Sequence, residues 1–185
     1  MTAHATVRAA IAWLVATLVV AHLLAPGSYS FIANTLSELG AQGYPYAWVT
    51  RAGFIGFGVL IAWHYSGDLV HVKRFWAQAV LLLLYGSSVT LTGAFSAAPF
   101  EDAVSFSEPE AFLHSLFATM AGVSLAGAIL ISAWRADTLR DRWKHIGVLA
   151  FVTLASALFG AFPEYHGVSQ RLLWVGGWGW LGWST

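Results

Sequence analysis

Glu110 and His114 stand four residues apart in an apolar stretch, which places them on one face of a helix. A carboxylate beside an imidazole orients the ring and fixes its tautomer, an arrangement used in base catalysis and in metal ligation. Glu38 lies in Asn34-Thr35-Leu36-Ser37-Glu38-Leu39-Gly40, which joins a carboxylate, hydroxyls and two leucines and ends in glycine. That pattern suits a short helical turn on the surface with Gly40 as its C-cap. It also allows Glu38, with Ser37 beside it, to face the interior. Glu38 and His114 are therefore the candidate acid/base groups. Two cations accompany them. Arg51 and Arg171 each sit near the start of an apolar stretch, where a charge must snorkel, pair or bind an anion. The planar guanidinium fork suits a lipid phosphate or a carboxylate. Arg51 is expected to snorkel outward or to meet Glu38. Arg171 is expected to clamp the loops through Glu164 or Glu38. Ser37, Glu110 and Gln170 complete the candidate binding set.

Metal and nucleophile chemistry find less support. His114, His166 and Glu164 are the metal candidates, but neither H-x-x-x-H nor H-E-x-x-H is present. No cofactor is required, and a divalent metal is not favoured. Ser37, Ser107 and Ser115 carry hydroxyls without a G-x-S-x-G elbow. There is no cysteine, which removes thiolate ligands, thiol nucleophiles and disulfides. His22, alone on an apolar stretch, reads as a packing or interfacial residue.

The elements that must position these groups are membrane spans. The chain has 185 residues, of which 58% are hydrophobic and only 10% charged, whereas a soluble domain carries about 25% charged residues. Lipid must cover the remaining surface. Six segments approach the roughly 20 apolar residues needed to cross a bilayer. They cover about 7–24, 45–65, 75–95, 109–134, 145–162 and 169–183. Arg8 with the apolar run behind it resembles a secretory signal, but the chain starts at Met1 and the segment is expected to be retained as the first span. Ser107-Glu108-Pro109-Glu110 reads as a capping box with proline in the first turn of span four. The last segment is short and rich in glycine and tryptophan, so it is expected to tilt, lie partly at the interface or be completed by a partner. Gly67 to Arg74 and Arg135 to Lys144 read as short basic connectors. A weak echo links Gly93-Ala94-Phe95, Pro99 and Glu101 with Gly160-Ala161-Phe162, Pro163 and Glu164.

Charge then orients the bundle. Arg8, Lys73, Arg74, Arg135, Arg140, Arg142 and Lys144 fall on one side with Asp68, Asp137 and Asp141, a net of +4. Arg51 and Arg171 fall on the other with Glu38, Glu101, Asp102, Glu108, Glu110 and Glu164, a net of −4. By the positive-inside rule both termini are cytoplasmic and the acidic loops extracytoplasmic.

Three stretches also carry a resemblance. Leu36-Ser37-Glu38-Leu39-Gly40 follows span one. His114 opens span four behind Gly93-Ala94-Phe95. Gly167-Val168-Ser169-Gln170-Arg171 precedes span six. Together they resemble the bacterial and archaeal family called domain of unknown function 998, membrane proteins of roughly six spans. The resemblance covers nearly the whole chain. Thr35-Leu36 replaces the usual residues before Ser37, and the acid expected after span three is delayed to Glu101-Asp102. A more distant similarity is to DRAM-like and GPI-lipid-remodelling membrane proteins, through the serine–acid–x–glycine element after span one. The resemblance implies that Glu38, His114 and Arg171 are the positions of interest, and it implies no established reaction.

These readings converge on an all-α, six-span polytopic bundle in the inner membrane, with membrane lipids as partners and no nucleic acid. Its function is expected to be an extracytoplasmic pocket that binds or modifies a lipid or amphiphile. The alternatives are an accessory subunit docking on other membrane proteins through its tryptophan-rich last span, and a small transporter.

Overall fold

The computed structural model describes residues 3–71 and 76–184 and is all-helical, with no strand among them. Six long helices run in order: α1 Ala3–Leu23, α2 Ala47–His71, α3 Trp76–Ala94, α4 Glu108–Arg135, α5 Leu139–Ala161 and α6 His166–Ser184. Two single-turn 3-10 helices, Glu38–Gly40 and Pro163–Tyr165, lie between them. Lys73, Arg74 and Phe75 fall outside the described residues, as does the side chain of Asp68.

Among the described residues, four helices are long and apolar enough to cross a membrane: α1 from His4, α3, α4 and α5. α2 and α6 have the length, with 25 and 19 residues, but glycines, an arginine each and other polar groups dilute them. Packing explains the dilution. α2 and α6 meet the other helices along much of their length, so less of their surface needs to suit lipid. The protein is thus a multi-pass membrane protein built as a helical bundle.

Consecutive helices pack as antiparallel neighbours, and α6 returns to touch α1. α6 also reaches α2, where the Trp174 ring stacks on Phe54 at 5.5 Å and meets Phe57 edge-on at 5.9 Å. Leu14, Phe54, Phe57, Ile61, Leu82, Ile129, Trp180 and Leu181 are fully buried at the centre. The last helix spans 19 residues, His166–Ser184. Of its tryptophans, Trp180 is buried, Trp174 and Trp178 pack partly buried against the core, and Trp183 is exposed.

α2 and α3 form the closest pair because glycines line the crossing. A Cβ on Gly86 would stand 2.6 Å from the Ala62 amide nitrogen and 2.8 Å from the Gly58 carbonyl, so any side chain there would force the backbones apart.

Two helices run further than expected. α5 begins six residues early because Thr138 caps it: its Oγ1 accepts from the Asp141 amide at 3.1 Å and donates to Asp141 Oδ2 at 2.8 Å. Arg140, Arg142 and Lys144 therefore sit on the first turns of α5 and not on a free connector. α2 likewise continues through Gly67 to His71. The start of α4 differs too. Ser107 makes no side-chain cap, because Glu110 points elsewhere.

Candidate functional site

Two polar clusters occupy the end of the bundle that carries Glu38, Glu101 and Glu110. The first closes the C-terminus of α3. The last carbonyls of a helix have no partner within it, and in lipid each would cost several kcal/mol. Arg51, one turn into α2, donates from Nε to Gly93 O at 3.1 Å and from Nη2 to Ala94 O at 2.8 Å. His114, in the second turn of α4, is buried and directs Nδ1 at Thr92 O and Phe95 O, at 2.9 and 3.0 Å. A carbonyl can only accept, so Nδ1 carries the proton. Four consecutive carbonyls are thus satisfied by two side chains from neighbouring helices. Glu110 adds to the same seal by accepting the Ser96 amide at 2.8 Å. The expected Glu110–His114 pair does share a helix face, but each side chain binds backbone at the end of α3 instead of the other. Arg51 neither snorkels nor pairs with Glu38.

The second cluster joins the first loop to α6. Arg171 donates to Asn34 O at 2.9 Å and to the Tyr29 hydroxyl at 2.6 Å, and its Nη2 meets His22 Nε2 at 2.9 Å. Its guanidinium lies 3.8 Å from the centre of the Phe31 ring. His22 Nδ1 lies 2.7 Å from Leu18 O, so that nitrogen is protonated and Nε2 is free to accept from the arginine. Tyr29 passes its own proton to Thr35 O at 2.9 Å. Burial pushes the Tyr29 hydroxyl above its ordinary titration range, against the opposing pull of Arg171. Gln170, next in sequence, accepts the Leu36 amide at 2.6 Å and donates to Ser37 Oγ at 3.3 Å. The first turn of α6 adds two backbone bonds, Gly167 N to Ala33 O and Val168 N to Ile32 O, both 3.1 Å. A Cβ on Gly167 would collide with the carbonyls of Phe31, Ile32 and Asn34. Arg171 does act as a clamp, but on neutral groups. Glu164 is exposed, and no ion pair joins it to Arg171 among the described residues.

Glu38 stands between the clusters. Its Oε2 accepts the Thr35 amide at 2.6 Å while its own amide donates to Thr35 Oγ1 at 3.1 Å. That is a reciprocal capping box opened by Thr35. Glu38 also lines a cavity of about 170 Å³. Ala21, Leu24 and Pro26 at the end of α1 form one wall, Pro45 and Tyr46 before α2 form the other, and Leu39 and Tyr44 close it. His114 and Arg171 do not line it. The three positions singled out by motif therefore share no hydrogen-bond partner and do not converge on one point.

Further residues knit the loops. Gln42 accepts the Ser107 amide at 2.8 Å and donates to Ser107 O at 3.1 Å. Glu101 accepts from Ser28 Oγ at 2.5 Å and from the Tyr44 hydroxyl at 3.4 Å. Burial and the nearby Glu101 raise the Tyr44 titration above its ordinary value. The echo between Glu101 and Glu164 stops at the sequence, since Glu101 is bonded and Glu164 faces outward. His22, Tyr29 and Gln42 had no motif to mark them; only the solitary histidine on an apolar helix was a signal. His166 stacks on Phe159 at 4.3 Å, and no group of three metal-ligating side chains forms among the described residues.

A multi-pass helical bundle whose loops at one end are locked by polar side chains from α2, α4 and α6 is the class of protein the fold defines. Within that class, the chain belongs to the family described as protein of unknown function (DUF998), which matches residues 8–185. No curated protein and no solved structure matches the chain, and the distant similarity to DRAM-like proteins gains no support.

Proposed function

We propose that this inner-membrane protein binds a lipid or other amphiphile in an extracytoplasmic pocket, with both termini in the cytoplasm. The observation that carries this reading is the cavity between the end of α1 and the start of α2. It is mostly apolar, it holds one carboxylate, and it lies where apolar helix gives way to polar loop. Such a mixture suits a molecule that is itself apolar at one end and polar at the other. Its volume is below the roughly 300–1,000 Å³ of drug-sized sites. It therefore holds part of a ligand while the rest stays in the bilayer. The reading is binding without chemistry, because Glu38 and His114 are not placed to exchange a proton.

The test is a photoactivatable phospholipid in vesicles holding the full chain. Labelling is expected to concentrate on residues 21–26 and 44–47, and Ala25→Trp, which fills the cavity, is expected to abolish it there while general labelling of α5 persists. Labelling of those segments that Ala25→Trp leaves unchanged overturns the reading.

A further inference from the structure

We propose that the Glu38 pocket selects amphiphiles whose head group ends in a cationic ammonium. The inference rests on the pocket reading above and deepens it by fixing the charge of the ligand. Glu38 is the only charged residue among those lining the cavity. Its capping-box bond engages Oε2; no described residue donates to Oε1. No lysine or arginine lies within ion-pair distance of it among the described residues.

The two arginines that could have neutralised it are committed. Arg51 binds the carbonyls of Gly93 and Ala94. Arg171 binds Asn34 O, Tyr29 and His22. Both are held by several bonds each, so neither can swing to an incoming anion without uncovering backbone acceptors. A phosphate or carboxylate entering the pocket would meet Glu38 with no cation beside it, and like charges disfavour one another strongly in a low-dielectric setting. An ammonium group instead supplies the missing partner. Tyr44 and Tyr46 on the wall add aromatic surface of the kind that attracts ammonium ions. A zwitterionic head group qualifies when its ammonium is terminal, with its phosphate left at the mouth.

The experiment is native mass spectrometry of the full chain against equimolar phosphatidylethanolamine, phosphatidylcholine and phosphatidylglycerol. Wild type is expected to retain the two ammonium lipids over phosphatidylglycerol, and the ratio between them tells whether a primary or a quaternary ammonium is preferred. Glu38→Gln is expected to reduce the ammonium preference about tenfold, a change of about 1.4 kcal/mol, by weakening retention of the ammonium lipids with no loss of phosphatidylglycerol. Glutamine keeps an acceptor for the Thr35 amide, so the turn survives. As a measurement that needs no variant, dodecyltrimethylammonium should displace bound lipid from wild type at concentrations where dodecyl maltoside does not. If Glu38→Gln and the ammonium competitor change nothing while Ala25→Trp still expels lipid, ammonium selection is wrong and the pocket stands. If Ala25→Trp expels nothing, both fall.

Discussion

Arg171 is more than a charge near the membrane boundary. Three of its contacts go to a carbonyl, a phenol and a neutral imidazole, and a fourth to an aromatic face. Lysine has neither the fork nor the flat surface to make them together. Arg171→Lys is therefore expected to cost about 3 kcal/mol, since hydrogen bonds to charged groups contribute about 1.5–3 kcal/mol each. Thermal unfolding in detergent measures it, and adding His22→Phe should cost less than the sum of the single changes because the two share one bond. Tyr29 gives a pH signature. Its hydroxyl titrates above the ordinary value of 10.0 in the folded chain because it is buried. The folded state thus holds that proton more tightly than the unfolded state. Its contribution is fully present below about pH 10 and falls away as the pH rises through the folded value. Tyr29→Phe should flatten this alkaline limb; an unchanged limb would show that another group causes it.

At the scale of the element, the end of α3 is the informative case. Its last four carbonyls point out of the helix at a depth where water cannot be relied on. Arg51 and His114 replace water, one from each neighbouring helix. Removing either leaves two acceptors open. Arg51→Ala and His114→Ala are each expected to cost about 2–3 kcal/mol. They should also raise hydrogen exchange at Phe95, whose amide bonds Leu91 O at 3.0 Å. Exchange there that matches wild type would mean that the carbonyls find other partners. Only part of this was legible beforehand. The helices themselves were, because a run of apolar residues in lipid must satisfy its backbone internally. The early start of α5 had a readable signal in Thr138 and Asp141, which the basic residues around it obscured. The apparent capping box at Ser107 misled for the opposite reason: Glu110 had a stronger demand on it, the Ser96 amide.

Across the whole molecule, the ends of the bundle differ in charge. Arg8, Arg135, Arg140, Arg142 and Lys144 lie toward the ends of α1, α4 and α5 opposite to the end that holds Glu38, Glu101 and Glu110. A hollow at that basic end is lined by Arg135, Asp137, Asp141 and His145. His145 accepts from the Trp180 indole at 2.9 Å there. Since the chain has no cysteine, single cysteines report topology without background. Asp102→Cys should react with a membrane-impermeant maleimide added outside intact cells. Asp137→Cys should react only after the membrane is opened. The reverse pattern would invert the orientation drawn from the positive-inside rule.

The sequence by itself determined that this is a helical membrane protein, where its six helices run to within a few residues at most ends, and to which family it belongs. Those properties follow from composition and spacing, which act locally and along one chain. It also marked Glu38, His114 and Arg171, but it could not say what they touch. Their partners are mostly backbone carbonyls and amides, which every residue carries and no residue type announces. Only the tertiary structure decided that Arg51 and His114 close α3, that Arg171 and Gln170 grip the first loop, and that Glu38 alone is left with a carboxylate oxygen beside an apolar cavity.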